Sequence, residues 1–180
     1  TLNNQGDLQI LSMKLKVSDD KFLEYRYSLN SEDYMVGFLI KSKGLNDVFD
    51  NSKVPEFEWN LKALRQDQSI TFENRYTRLN YEHEVDKTNK LSQSGDDEDE
   101  IEDVSWISYR QHFFSSILVS EKPIDIAKIY SYDLVDDETI DTTFTKKYIT
   151  KFPLVYDSGE LLKDMSFYFG PTYAETLEKY

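Results

Sequence analysis

Two histidines and a run of acids are the residues of this chain whose types lend themselves to chemistry. His83 lies in YEHEV and His112 in RQHFF, on stretches that read as separate strands. Were those strands neighbours, the two imidazoles, flanked by Glu82 and Glu84, would have the makings of a general acid–base pair. No H-x-H or H-E-x-x-H frame organises them, so they read first as half-buried strand histidines, and a metal centre is not expected. The chain has no cysteine, which leaves Ser, Thr, Lys or a carboxylate as nucleophile. Neither a G-x-S-x-G elbow nor a G-x-x-x-x-G-K-[ST] loop occurs, and the six glycines are too scattered to cradle a phosphate. The expectation is therefore a chain without catalytic residues, cofactor or metal.

The acids concentrate in DKTNKLSQSGDDEDEIED, residues 86–103, with seven acids among the eight residues from Asp96 to Asp103. A calcium loop needs D-x-[DN]-x-[DN]-G, and counting from Asp97 the sixth position is Glu102 rather than Gly. A segment this polar has little apolar surface to offset the entropy of ordering it, so it is expected to be a mobile loop between two strands.

The elements that must position any site are strands. Thirteen Tyr and eleven Phe stand against six Gly and four Pro, a composition that suits half-buried pleated surfaces. Leu11, Met13, Leu15 and Val17 alternate with polar residues, and after SDDK the period returns as Leu23, Tyr25, Tyr27 and Leu29, which predicts a hairpin. Val36, Phe38 and Ile40 predict a third strand, and Phe57, Trp59 and Leu61 a fourth. Further strands are expected near 70–85, 104–120, 124–134, 141–152 and 161–169. About nine antiparallel strands with one wet face each imply an all-β sandwich, read here as one domain over 1–180. Trp59 and Trp106 fall in alternating apolar runs and are expected in its core. A strip of exposed rings would instead serve as a sugar-stacking platform. The net charge of −13 argues against nucleic-acid and anionic-membrane surfaces. No apolar run approaches the roughly 20 residues that cross a bilayer, and no signal peptide opens the sequence.

Three stretches, KFLEYRYSLNSEDYMVGFLI at 21–40, WISYRQHFFSSILV at 106–119 and the closing FYFGPTYAETLEKY, together resemble the large periplasmic domain of the YidC membrane protein insertase family. The W-x-x-x-x-Q-x-F-F run and the F-G-P corner carry most of that resemblance, which covers about the second half of the family's periplasmic domain and none of its transmembrane segments. It implies a large antiparallel sandwich of the mutarotase-like, super-sandwich kind with a short C-terminal helix. It also implies a non-catalytic role on the periplasmic face of the bacterial inner membrane, in contact with Sec translocon accessory proteins and nascent inner-membrane proteins, with membrane attachment through segments outside this chain. On the same reading Gly170 and Pro171 form the corner where sheet gives way to helix, and Tyr173, Leu177 and Tyr180 form a stripe leading towards an interfacial helix. Phe167, Tyr168, Gly170, Pro171, Tyr173, Leu177 and Tyr180 are the candidate membrane-proximal or partner-contact residues. If half of a domain is absent, an uncovered edge near Leu11–Val17 is expected to promote self-association. The alternative kept alongside is a carbohydrate-binding or aldose-epimerase-like sandwich, which would need the histidines to converge in an open cleft.

Overall fold

The computed structural model describes residues 1–50, 53–137, 139–140 and 142–180. Alternation dominates its local structure, because each strand that packs on one face repeats its apolar residues with period two. In chain order the elements are β1 (Leu2–Gln5), β2 (Leu8–Lys16), β3 (Phe22–Asn30), β4 (Met35–Lys43), β5 (Glu56–Leu64), α1 (Ile70–Tyr76), β6 (Arg78–His83), β7 (Lys87–Lys90), β8 (Asp97–Arg110), β9 (Phe114–Asp133), β10 (Phe144–Pro153), β11 (Tyr156–Asp157), β12 (Glu160–Pro171) and α2 (Ala174–Leu177).

All pairings are antiparallel. One wide layer runs β1-β2-β3-β4-β12-β9-β8-β6-β7, and β10 joins β9 further along and carries β5. The long strands β8 and β9 belong to both layers. The second half of β8, from Trp106, pairs with the start of β9, while Asp97–Glu102 pairs with Ile126–Ser131, the stretch that also meets β10. The sheet thus folds over itself into the expected all-β sandwich. Between the layers lie Tyr81, Ile107, Tyr109, Leu118, Tyr148 and Phe152, each at most 1% exposed. Trp59 stacks on Tyr109 at 3.9 Å between centroids, and Phe57 on Phe152 at 4.8 Å.

The hairpin of β2 and β3 forms with the expected register, Leu11 opposite Tyr27 and Leu15 opposite Leu23. Three expectations are corrected. The stretch 70–76 is helix rather than strand. Ser69 caps it, its hydroxyl accepting from the Phe72 N–H at 3.2 Å, and the buried Glu73 carboxylate accepts from the Gln66 and Asp67 amides. The strand expected over 104–120 is broken by a turn at 111–113, where the Gln111 amide bonds to the Phe114 carbonyl, and 114–133 is a single strand. The strand expected over 141–152 begins at Phe144, and Asp141 lies outside the described residues.

A fourth correction concerns the acidic loop expected over 86–103. Lys87–Lys90 is β7, and Asp97–Asp103 is the first half of β8. Strand geometry accommodates the charge because the partner contributes specific contacts. Lys128 meets Glu100 at 3.5 Å, the Tyr81 hydroxyl donates to Asp99 at 2.9 Å, and the Ser92 amide donates to Asp97 at 2.5 Å. Ile101, nearly the only apolar residue of the run, is buried and anchors it. Buried beside Asp99, the Tyr81 phenol is pushed up to about 12, chiefly by desolvation and then by that hydrogen bond.

The two layers differ in width. Phe57 of β5 packs over Phe38 of β4, and among the described residues no strand extends the second layer beyond β5. The inner face of β2 and β3 therefore continues past it uncovered, with Met13 46% and Leu15 72% exposed and Leu11 and Tyr25 exposed beside them. The outer face of the same strands is in contrast well finished. There Glu24 is buried, accepting from Ser12 at 2.7 Å with Lys14 and Arg26 alongside.

Candidate functional site

A groove of about 590 Å³ lies on the outer face of the wide layer, beneath the C-terminal helix. Its floor is laid by register. Ser108 of β8 stands opposite Asn80 of β6 on one side and Ile117 of β9 on the other, and Ile117 in turn stands opposite Tyr168 of β12. One row away Trp106 is opposite Val119, and in the other direction Arg110 is opposite Ser115. Side chains two residues apart share a face, so these rows form a continuous strip. Ala174, Leu177 and Tyr180 close over it from the C-terminal segment.

Tyr168 is the pivot of this arrangement. It is 1% exposed, its hydroxyl donates to the Pro171 carbonyl at 2.7 Å, and its ring meets Tyr34 and Tyr180 edge-on at 5.9 and 5.3 Å. Tyr180 is tied down at its other end, donating to Asp33 Oδ1 at 2.5 Å while accepting from the Tyr34 amide at 3.3 Å. The Tyr180 hydrogen bond, with a further one from the Met35 amide, holds the Asp33 carboxyl below the usual aspartate range, and the same bond raises the Tyr180 phenol.

The sequence candidates divide between the two faces of β12. Phe167 faces the core, packed 5.8 Å from Phe38 and edge-on to Trp59 at 5.3 Å. Tyr168, Leu177 and Tyr180 converge at the groove, whereas Tyr173 is 73% exposed and stands outside their stripe. Gly170 and Pro171 are not the corner expected of them. Both are strand residues, paired with Ser115 and Phe114, and the chain turns at Thr172 and Tyr173 instead. Nor does Gly170 adopt a left-handed conformation; it is required for space, since a Cβ there would lie 2.5 Å from the Tyr168 hydroxyl and 2.9 Å from Tyr34 Cγ.

The histidines do not converge. His83 closes β6 opposite Lys87 of β7, while His112 sits in the turn beyond the other end of the β6–β8 ladder, where Arg78 pairs with Arg110. The His112 ring stacks on Tyr76 at 4.6 Å and on Phe113 at 4.1 Å. Its Nδ1 is 3.2 Å from Asp67 but too far off line to hydrogen bond. Among the described residues no group of three or more His, Asp or Glu is placed to hold a metal ion.

Trp106 is a correction of another kind, for it belongs to the groove and not to the core. Its indole N–H donates to Glu82 at 2.7 Å. The register of β8 shifts between Val104 and Trp106, so the buried positions pass from Val104 to Ile107 and Tyr109, and Trp106 turns outward. The residues overlooked in the sequence, Arg110, Ser108, Ile117 and Val119, line the groove beside it. The alternation W-x-S-x-R was legible as one face of a strand, but nothing local said which face.

The whole chain, residues 1–180, matches the family model described as the YidC periplasmic domain. It is 28% identical over 177 residues to a protein of Bacteroides fragilis named membrane protein insertase YidC, covering 97% of this chain and 28% of that protein. Proteins of the same name from Parabacteroides distasonis (29% identical, 92% of this chain and 26% of the relative) and Phocaeicola vulgatus (26% identical, 93% and 27%) are similar over nearly the same span. The chain thus spans little more than a quarter of the length of the curated relatives it matches.

Proposed function

This chain belongs to the YidC periplasmic domain family, and from that membership we propose that it serves a membrane protein insertase as a non-catalytic accessory domain. It assists the insertion and folding of inner-membrane proteins through protein contacts, those with Sec translocon accessory proteins among them. The match over all 180 residues carries this reading. The geometry supports it by what it keeps apart, since the two histidines that an epimerase-like site would require stand at opposite ends of one ladder.

The 180 residues form one part of a larger periplasmic domain. The accessible surface is 10995 Å², whereas a compact monomer of this mass exposes about 9,100 Å². The excess, near 1,900 Å², is roughly twice what one partner contributes to a standard protein interface. The inner face of β2 and β3 is uncovered, and at the edge β5 pairs only with β10 among the described residues. Further strands of the domain, added to that edge, lie over Leu11, Met13, Leu15 and Tyr25 and complete the second layer.

Photo-crosslinkers at Tyr173 and Phe169, both exposed, placed in the full-length insertase test the partner contact. Adducts with Sec accessory proteins are expected, and their absence at both positions would count against this surface. Replacing His83 and His112 together by Gln is expected to leave insertion in cells near normal. A large loss of insertion by a folded double variant would end the non-catalytic reading.

A further inference from the structure

Among the described residues, two arginines at one end of the groove, Arg110 lining it and Arg78 paired opposite on the next strand, have no carboxylate partner. Arg110 and Arg78 stand directly opposite each other on β8 and β6. Arg78 donates to the Arg75 carbonyl and to the Gln93 side-chain oxygen, both uncharged. The Nε of each arginine is buried without any hydrogen-bond partner, and among the described residues neither takes part in an ion pair. That is anomalous on a chain with 34 acids and 21 bases, where a carboxylate is the commonest available neighbour. Like charges directly opposite each other in a sheet are destabilising unless something lies between or beside them.

Of the two, Arg110 lines the groove, and the hydroxyls of Ser108, Ser115 and Thr172 line it as well, the last two 3.1 Å from each other. From Arg110 the lining turns apolar along the strands through Ile117 and Leu177 to Trp106 and Val119. Arg110 and Trp106 are four residues apart, which is about 13 Å along a strand. One cation at one end, hydroxyls around it and an apolar track of that length match an amphiphile with a single anionic head.

We propose that the groove beneath α2 binds a single-chain carboxylate amphiphile, its head held by the Arg110 guanidinium and its alkyl chain laid along Ile117 and Val119 to Trp106. A planar carboxylate fits the guanidinium fork, and Arg110, the one cation among the described residues that line the groove, matches a single charge. The volume of about 590 Å³ is that of a small-ligand site. An extended peptide is the less suitable occupant because the floor strands are already paired on both sides: β8 with β6 and β9, β9 with β8 and β12, β12 with β9 and β4. No backbone donors or acceptors remain there for strand addition. An alkyl chain needs none. Tyr180, anchored to Asp33, roofs the site without occupying its polar end.

The test is calorimetric titration of the complete periplasmic domain with sodium decanoate below its micelle concentration, with 1-decanol and an apolar peptide bearing a free C-terminal carboxylate in parallel. The Trp106 indole N–H signal, followed in a ¹⁵N spectrum, reports occupancy of the groove. Decanoate is expected to bind and shift that signal, decanol to bind at least tenfold more weakly, and Arg110→Met to weaken decanoate by tenfold or more, the loss of one charge-assisted hydrogen bond. Arg110→Lys, which keeps the charge, should retain part of the affinity, and it preserves the test if Arg110→Met fails to fold. Equal binding of decanoate and decanol would overturn the proposal, as would unchanged affinity in a folded Arg110→Met. So would a shift of Trp106 by the peptide and not by decanoate, which would make the groove a peptide site.

Discussion

Gly170→Ala is expected to destabilise the chain by about 2 kcal/mol, although alanine is ordinarily the better strand residue. The added methyl would lie 2.5 Å from the Tyr168 hydroxyl, 2.6 Å from its Cζ and 2.9 Å from Tyr34 Cγ. The Tyr168 ring has little freedom to give way, being 1% exposed, bonded to the Pro171 carbonyl and packed between Tyr34 and Tyr180. Overpacking of a closed site costs about 1–3 kcal/mol, and displacing the hydroxyl forfeits a hydrogen bond of about 1 kcal/mol. Against these, removing a strand glycine gains about 0.5–1 kcal/mol. For a chain of this length the net loss corresponds to a fall in Tm of about 4–8 °C. Urea denaturation followed by circular dichroism measures it, and the double variant with Tyr168→Phe identifies the cause. Tyr168→Phe alone should cost about 1 kcal/mol. In its background Gly170→Ala should cost less than in the wild type, by at least 0.5 kcal/mol of coupling, because the untethered ring can tilt. A Gly170→Ala chain as stable as the wild type, or strictly additive effects, would show that Tyr168 is not the fixed wall described above.

Tyr180→Phe should loosen α2 from the sheet while keeping the ring contact with Tyr168, at about 1 kcal/mol, seen as faster amide exchange at Thr176 and Leu177. The wild-type contact should fade with pH at both ends. Asp33 is depressed in the folded chain, so its contribution is complete above the ordinary aspartate value near 4 and is lost as pH falls below it; Tyr180 is raised, so its contribution is lost as pH climbs above about 10. Flat amide exchange at α2 across both ranges would refute the clasp. Lys146 is fully buried, donating to Asp133 at 3.0 Å and to the Gln93 carbonyl at 2.7 Å. Asp133→Asn should therefore cost about 3 kcal/mol by stranding a buried ammonium, and Lys146→Met distinctly less; the opposite order in denaturant titrations would show that the pair is not the stabilising unit. The isolated chain is expected to self-associate through the bare face of β2 and β3, more strongly at high salt as its net charge of −13 is screened. Met13→Lys with Leu15→Lys should restore the monomer in sedimentation, and a wild-type chain monomeric at every salt concentration would contradict the uncovered-face argument.

Much of the fold was legible as periodicity. Leu11, Met13 and Leu15 against Leu23, Tyr25 and Tyr27 specify a hairpin because a one-residue slip would turn every apolar side chain to the other face. Phe38 with Ile40, and Phe57 with Trp59, declare buried faces for the same reason. The closing FYFGPTY likewise marks a strand followed by a turn, and with the other two stretches it carried the family resemblance. Ser69 before ITFENRY was a readable helix cap that the aromatic content obscured.

Only the tertiary structure decided the rest, because it depended on contacts between residues distant in sequence. Local composition marks Asp97–Asp103 as loop, yet pairing with Ile126–Ser131 and the burial of Ile101 make it strand, since backbone hydrogen bonds to a partner do not depend on side-chain polarity. The face on which Trp106, Ser108 and Arg110 lie was set by a register shift between Val104 and Trp106, invisible to any alternation count. Gly170 reads in sequence as a flexible corner, and only the positions of Tyr168 and Tyr34 reveal that it is there for want of room. The roof of the groove is pinned where the Tyr180 hydroxyl reaches Asp33, 147 residues earlier in the chain. Periodicity reports which residues of one segment share a face; which segment that face meets is settled by packing between strands far apart in the chain.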